Sequence, residues 1–284
     1  MPELPEVETI RRDLSARILG TKITKLELLS PQSVLGNKKE FSTQILGSSF
    51  REIDRIGKLL IFVLQKGKYL LIHLKMTGQL IYQTKQELIP GGHEGGEVKE
   101  LPNKMTRVVF SFSDDGKLYF NDQRRFGYLK IVDAKELAKI KEKFGPEPLQ
   151  AEFNASFLKK LLRGRRGNIK ALLLNQLHIA GLGNIYADEA LFRAGIRPMR
   201  LAGSLSEVET KKLAQEIKGV IKSAISHRGT TFSDYRDATG KRGGFGVKLQ
   251  VYGRSKEKCY RCGRAITKVK LAGRGTHFCP YCQK

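Results

Sequence analysis

A chain of 284 residues with 52 Lys and Arg against 28 Asp and Glu carries a net charge of +24, a field that gathers polyanions. Its 40% hydrophobic content supports real cores, and its length suits two or three domains. No stretch approaches the ~18 apolar residues of a membrane span and no apolar signal core opens the chain, so no membrane partner and a cytoplasmic, nucleoid-associated location are expected.

Val7, Ile10, Leu14 and Ile18 recur at helical spacing until Gly20, which predicts an amphipathic helix. From Lys22 to about Val132 the period turns to β. Leu59–Leu64, Tyr69–Leu74 and Val108–Phe112 are short apolar runs separated by Gly and Asp. Asp114-Asp-Gly116 signals a hairpin between Val108–Phe112 and Leu118–Phe120. Several such strands predict a β-sandwich. Residues 84–105, centred on Gly91-Gly-His-Glu-Gly-Gly96, read as a long mobile loop within it. Phe144-Gly-Pro-Glu-Pro148 reads as a linker, and the period beyond it is helical. Asn154 and Asn168 are placed to cap helices. Ser206-Glu-Val-Glu209 is a capping box before a long helix reaching about His227. Residues 228–248, rich in Gly, Thr and Arg, predict a flexible loop.

All four cysteines fall in the last 26 residues, as Cys259-Tyr-Arg-Cys262 and Cys279-Pro-Tyr-Cys282. Two C-x-x-C knuckles at this spacing present four thiolates to one tetrahedral Zn²⁺. Such a site has no open position for water, so the metal builds structure and does no chemistry. A redox pair or two disulfides are the other uses of these residues. The positive charge is spread along the chain and so belongs to folded surface. Nucleic acid leads the candidate partners, ahead of a ribosome-like structural role. Nothing signals oligomerisation, and a monomer is expected.

The N-terminus has two readings. Alone, Pro2-Glu-Leu-Pro-Glu6 is a stiff helix lead-in with dipole-favourable acids. Yet a small residue after Met1 permits its removal, which frees a secondary amine on Pro2. An α-amino group titrates near ~8, so a useful fraction is neutral and nucleophilic near neutral pH.

Pro2-Glu-Leu-Pro-Glu-Val-Glu-Thr9, Gly183-Asn-Ile-Tyr-Ala-Asp-Glu189 and Gly273-Arg-Gly-Thr-His-Phe-Cys-Pro-Tyr-Cys-Gln283 occur in this order around the cysteines. With them the chain resembles the bacterial formamidopyrimidine-DNA glycosylases from Pro2 to Lys284. The resemblance implies an α+β protein. Residues 1–133 would form an N-terminal β-sandwich catalytic domain with its helix, and 134–152 a linker. Residues 153–248 would form a helix–two-turn–helix DNA-binding domain with a lesion-capping loop, and 249–284 a zinc finger. DNA would lie in the cleft between the halves.

The implied activity is that of a bifunctional DNA glycosylase/AP lyase of base excision repair. It would remove 8-oxoguanine and formamidopyrimidines from double-stranded DNA through a Schiff base on Pro2, then cleave the strand by β- and δ-elimination. Glu3 would protonate the sugar ring oxygen, which needs a carboxyl kept protonated at neutral pH. Glu6 would orient the N-terminus or cap the helix. Lys58 would move protons in elimination, and Arg274 would grip a phosphate for the second elimination. His73 would contact a phosphate. Met76, Arg124 and Phe126 would enter the duplex, filling the hole left by an extruded nucleotide and offsetting its lost stacking. Arg165, its neighbour Arg166, and Lys170 would bind the backbone, and Asn184 would offer a phosphate its side chain and helix-start amides. Cys259, Cys262, Cys279 and Cys282 would hold one structural Zn²⁺.

Several positions depart from the family pattern, Gly243-Gly-Phe245 modestly, and the loop before Lys104 is long. Met105 stands where a DNA-contacting His is expected, and Asn175 replaces a common Asp. An endonuclease VIII-type enzyme for oxidised pyrimidines is the nearest alternative; Leu4 and the Met76, Arg124, Phe126 set favour purine lesions. A non-catalytic zinc-containing DNA-binding protein would need no free Pro2 amine. A structural RNA-binding protein would show no preference for damage.

Overall fold

The computed structural model describes residues 1–85, 88–93, 100–230, 235–236 and 244–284, with 88–93 and 235–236 described by backbone alone. They form two compact units: Met1–Glu142 with His227–Gly246, and Lys143–Ser226 with Val247–Lys284.

The first unit contains α1 (Leu4–Ile18), β1 (Ile23–Leu28), β2 (Val34–Leu35), α2 (Lys38–Ile45), β3 (Phe50–Ile56), β4 (Leu59–Leu64) and β5 (Tyr69–His73). It continues with β6 (Gly78–Gln83), β7 (Leu88–His93), β8 (Thr106–Phe112), β9 (Lys117–Asp122), β10 (Tyr128–Val132), α3 (Ala134–Lys141) and, far along the chain, β11 (Tyr235–Arg236). Among the described residues, one sheet runs β1-β8-β9-β6-β7-β11 and the other β2-β10-β5-β4-β3. Their inner faces share one core. Phe50, Phe62, Leu70 and Ile72 of the second sheet pack with Leu80, Phe110, Phe112 and Phe120 of the first. The Phe50 ring lies 5.0 Å from Phe62 and 6.3 Å from Phe110. This is the expected sandwich, and each fully buried side chain of this kind contributes roughly 1.5–3 kcal/mol.

Helix α1 packs on β3 and β4 and is buried well beyond one apolar stripe. Its buried acids are therefore paired. Glu8 takes Arg11, Arg12 and Arg55, and Asp13 takes Arg228 at 2.6 Å. The stretch 84–105, expected as a mobile loop, contains β7, which pairs antiparallel with β6. The physical reason is the edge of β6, whose backbone groups find partners in Leu88–His93. Tyr235–Arg236 adds to β7 in turn, so part of 228–248 is also strand. The rest of the loop expectation, at 231–234 and 237–243, lies outside the described residues. The described part of His227–Gly246 clusters with the first unit, whereas the sequence reading grouped it with the helices. The stretch read as linker contains α3, capped by Asp133 accepting the Glu136 N–H at 2.8 Å.

The second unit contains α4 (Ala155–Leu162), α5 (Ile169–Leu174), α6 (Asn184–Ala194) and α7 (Glu207–Ser226), with the hairpin β12 (Thr267–Leu271) and β13 (Arg274–Phe278). Asn154 and Asn168 cap α4 and α5 through the N–H groups of Phe157 and Ala171. Ser206 and Glu209 form a reciprocal capping box. Each cap contributes about 1 kcal/mol. No helix among the described residues is long and apolar enough to cross a membrane.

Candidate active site and nucleic-acid interface

Pro2 and Glu3 are buried at the start of α1. Glu3 is the N-cap, and its N–H donates to Glu6 Oε2 at 2.9 Å. The other Glu6 oxygen accepts the Thr230 N–H at 2.8 Å. Gly229, at φ +81°, lets that carboxylate approach, since a Cβ there would lie 2.7 Å from Glu6 Oε1. Glu6 thus fixes the backbone that carries Pro2 and Glu3, in the orienting role expected of it. Lys58 is buried at the β3–β4 hairpin, next to Gly57 at φ +56°. Its neighbour Leu59 pairs with His73 across β4 and β5.

His73 ends β5. Burial first, then the charges of Lys75 and Lys58, pushes its imidazole down to about 3. It is therefore neutral at physiological pH. Its Nδ1 accepts the Lys75 N–H at 3.0 Å, which leaves Nε2 to carry the hydrogen. A phosphate would meet an N–H donor there, with no added positive charge. Met76 lies in the turn that follows. Arg124 and the 55% exposed Phe126 lie in the turn between β9 and β10, with the guanidinium 4.8 Å from the ring centroid. Pro2, Glu3, Lys58, His73, Met76, Arg124 and Phe126 all belong to the first unit.

The remaining candidates belong to the second unit. Arg165 and Arg166 are exposed between α4 and α5. Arg274 is exposed at the tip of the β12–β13 hairpin, whose turn uses Ala272 at φ +49° and Gly273 at φ +72°. Asn184 opens α6 and donates its Nδ2 to Gly275 O at 2.9 Å. The helix start and the residue after Arg274 are thereby joined. Lys170 departs from expectation. It is completely buried, with its ammonium 2.6 Å from Asp188 Oδ1 and 2.8 Å from Thr276 Oγ1. An ammonium enclosed there reaches no phosphate; it fastens α5 and α6 to β13. The Asp188 Oδ2 atom completes the joint by accepting the His277 N–H at 2.8 Å.

The four cysteine sulfurs lie within 4.8 Å of one another. Cys259 Sγ is 4.0 Å from Cys282 Sγ, and Cys262 Sγ is 3.5 Å from Cys279 Sγ. Thiolates about 2.3 Å from one tetrahedral Zn²⁺ would lie roughly 3.8 Å apart, so the set fits that ion. None is in a disulfide. Burial and the neighbouring thiols push Cys282 up to about 12, so its thiolate needs a cation beside it. Gln283 secures the second knuckle, accepting the Cys279 N–H and donating to Ile196 O, both at 2.8 Å.

Residues 1–129 match the formamidopyrimidine-DNA glycosylase N-terminal domain and residues 144–236 the H2TH domain of the same enzymes. Residues 256–284 match a zinc finger found in FPG and IleRS. The formamidopyrimidine-DNA glycosylase of Desulfitobacterium hafniense (strain DSM 10664 / DCB-2) is 44% identical over 286 residues, covering 100% of both chains. That of Pelotomaculum thermopropionicum is 42% identical, covering 100% of this chain and 99% of the relative. The chain belongs to the formamidopyrimidine-DNA glycosylase family. Wild-type Lactococcus lactis Fpg (MutM), solved with DNA containing N7-benzyl-Fapy-dG, superposes with a TM-score of 0.89 at 37% identity over 100% of both chains. The same enzyme solved with abasic-site DNA gives 0.88 over 99% of each. As a family member the chain is a DNA glycosylase of base excision repair with one structural zinc site.

Three buried acids that support these residues were not legible in the sequence. Asp122, Asp188 and Glu189 are all fully buried. Glu189 accepts the N–H groups of Gln250, Val251 and Tyr252 at the entry to the finger, while burial pushes its carboxyl up. The Gly183–Glu189 motif contained Asp188 and Glu189, but a helical acid next to a basic surface gave no sign of facing inward. Asn175, one of the departures from the family pattern, caps the end of α5 and accepts the Leu177 N–H at 3.0 Å.

Proposed function

We propose that the protein removes oxidised purines, 8-oxoguanine and formamidopyrimidines, from duplex DNA and then cleaves the strand at the abasic site. With Met1 removed, the Pro2 nitrogen attacks C1′ of the damaged nucleoside and the glycosidic bond breaks, the base leaving with its electron pair and taking a proton. Glu3 gives a proton to the ring oxygen as the sugar opens. The secondary amine can form only a cationic iminium, which acidifies the 2′ hydrogen. Loss of that proton expels the 3′ phosphate, and a second elimination releases the 5′ side. Lys58 carries protons in these eliminations, and Arg274 and Asn184 hold phosphate. His73, Arg165 and Arg166 grip the backbone, and Met76, Arg124 and Phe126 enter the duplex. We place the enzyme in the nucleoid-associated cytoplasm, acting as a monomer.

The observation that carries this reading is the buried Pro2–Glu3 pair at a helix start whose Glu6 holds the Glu3 N–H at 2.9 Å. A helix lead-in needs only the capping-box bond to the Glu3 N–H; the second tie, from the Thr230 N–H to Glu6 Oε1 at 2.8 Å, goes beyond it. The test is borohydride trapping on a duplex with one 8-oxoguanine opposite cytosine, followed by peptide mass mapping. An adduct on Pro2, absent with undamaged DNA, is expected, and Glu3→Gln should abolish base excision. If Met1-free, zinc-loaded protein gives no adduct with 8-oxoguanine but does with an oxidised pyrimidine, the lesion class is wrong. If it gives none with an abasic site either, the covalent mechanism is wrong.

A further inference from the structure

We propose that Asp122 is a positioning residue that sets the two duplex-entering turns, Met76–Thr77 and Arg124–Phe126, in a single register. The proposal rests on the reading in which Met76, Arg124 and Phe126 enter the duplex.

Asp122 is the last residue of β9 and is fully buried. A carboxylate buried there needs donors, and it finds them in two separate segments. Its Oδ1 accepts the Thr77 hydroxyl in a short contact and the Arg124 N–H at 3.2 Å. Its Oδ2 accepts the Gly127 N–H at 2.6 Å. Thr77 directly follows Met76, and Arg124 and Gly127 bracket the turn that presents Phe126. The Thr77 hydroxyl spends its hydrogen on the carboxylate and takes the Arg124 N–H on its oxygen at 3.0 Å. Each wedge segment is thereby bonded to the other as well as to Asp122. Arg107, also buried, holds the backbone of the same residue by donating Nε to Asp122 O at 2.9 Å.

The chemistry calls for Asp and no close substitute. Three donors converge on two oxygens, and only an acceptor at both positions satisfies them. An amide would turn an N–H toward one of them. The turn also needs an external hold. Arg125 sits at φ +58°, a left-handed conformation that an L-residue adopts only when held there. Gly127 has no room for a side chain, since a Cβ would lie 2.7 Å from Phe120 Cζ and 3.0 Å from Asp122 Oδ2. An exposed aromatic beside an exposed guanidinium is thus held in place before DNA arrives, which lowers the ordering cost of entering the stack.

The test is a double-mutant cycle with Asp122→Asn and Phe126→Ala in the zinc-loaded full chain. Three quantities are read. The first is the single-turnover rate on 8-oxoguanine duplex. The second is the fluorescence of a 2-aminopurine next to the lesion, which rises as bases unstack. The third is borohydride trapping on a single-stranded abasic oligonucleotide, which offers no duplex to enter. Asp122→Asn should slow excision and the 2-aminopurine rise on the order of tenfold or more. It should leave single-stranded trapping unchanged and add little in the Phe126→Ala background. Thr77→Val, which removes only the bridging hydroxyl, should move the same two readouts in the same direction, and it carries the cycle if Asp122→Asn does not fold. If Phe126→Ala slows duplex entry but Asp122→Asn and Thr77→Val match wild type, the proposal is overturned and the wedge reading stands. Equal losses on duplex and single strand would make Asp122 a fold residue only and overturn it too. If Phe126→Ala itself changes nothing, the wedge reading fails and takes the proposal with it.

Discussion

Replacing Lys170 by Met separates two accounts of this residue, a backbone-gripping cation or a buried strut. Met keeps most of the volume and deletes the charge. In the structure Lys170 and Asp188 are both 0% exposed, with Nζ 2.6 Å from Oδ1 and 2.8 Å from Thr276 Oγ1. Removing one member of such a pair strands the other charge in a low-dielectric interior, at a cost of about 3–5 kcal/mol. Lys170→Met should therefore destabilise the second unit by that amount, read by denaturant unfolding and by faster amide exchange in β12 and β13. Lys170→Met with Asp188→Asn removes the stranded charge and keeps an oxygen for the His277 N–H, seen at 2.8 Å. It should recover about 1–3 kcal/mol of the loss. DNA affinity and the slope of log K against log salt should fall only together with that loss of stability, through disorder of the Arg274 hairpin. A variant within ~0.5 kcal/mol of wild type whose salt slope drops by about 0.9, the value of one phosphate contact, would refute the strut and restore the cation.

Acid should destabilise the protein in two steps. Burial raises the Glu8 carboxyl, but Arg11, Arg12 and Arg55 outweigh it and bring the group from 4.5 down to about 2. A folded-state carboxyl held below its unfolded value gives stability that is present above 4.5 and lost as pH falls toward about 2, on the order of 3 kcal/mol. His73, depressed from 6.5 to about 3, works in the same direction at higher pH, because the unfolded chain takes up its proton first. Melting temperature against pH should fall below pH 6.5, and Glu8→Gln should flatten the limb below 4.5; an unaltered limb would contradict the pairing. Removing zinc should leave the four cysteines without the ion that holds them together, collapse the packing around Phe192 and Ile266, and abolish specific DNA binding, with recovery on adding Zn²⁺ back. Full binding by protein shown to be metal-free would refute the structural role.

Much of this protein was legible in its sequence because the signals are local. The two C-x-x-C knuckles specify a metal site by spacing alone. Asn154, Asn168 and the Ser206–Glu209 box mark helix starts because a cap bonds within its own turn. The β alternation from Lys22 to Val132 requires a sandwich, since strands with one apolar face must cover it. The β7 and β11 strands were not legible, because a Gly-rich run becomes strand only when a neighbouring edge offers backbone partners. Lys170 was misread for a related reason. A lysine in a basic chain looks solvated, and its enclosure depends on Asp188, eighteen residues on, and Thr276, more than a hundred on.

The division is physical. Sequence by itself determined the metal, the secondary-structure periods, the sign of the surface charge and the chemistry open to an N-terminal proline, because each follows from residue type and short spacing. Tertiary structure alone decided the state of each polar group: that His73 is neutral, that Lys170 and Asp188 are a buried joint, that Glu6 ties α1 to Thr230 and Asp122 ties two turns together. Those outcomes are set by desolvation and by partners distant along the chain, and neither is defined until the chain has folded.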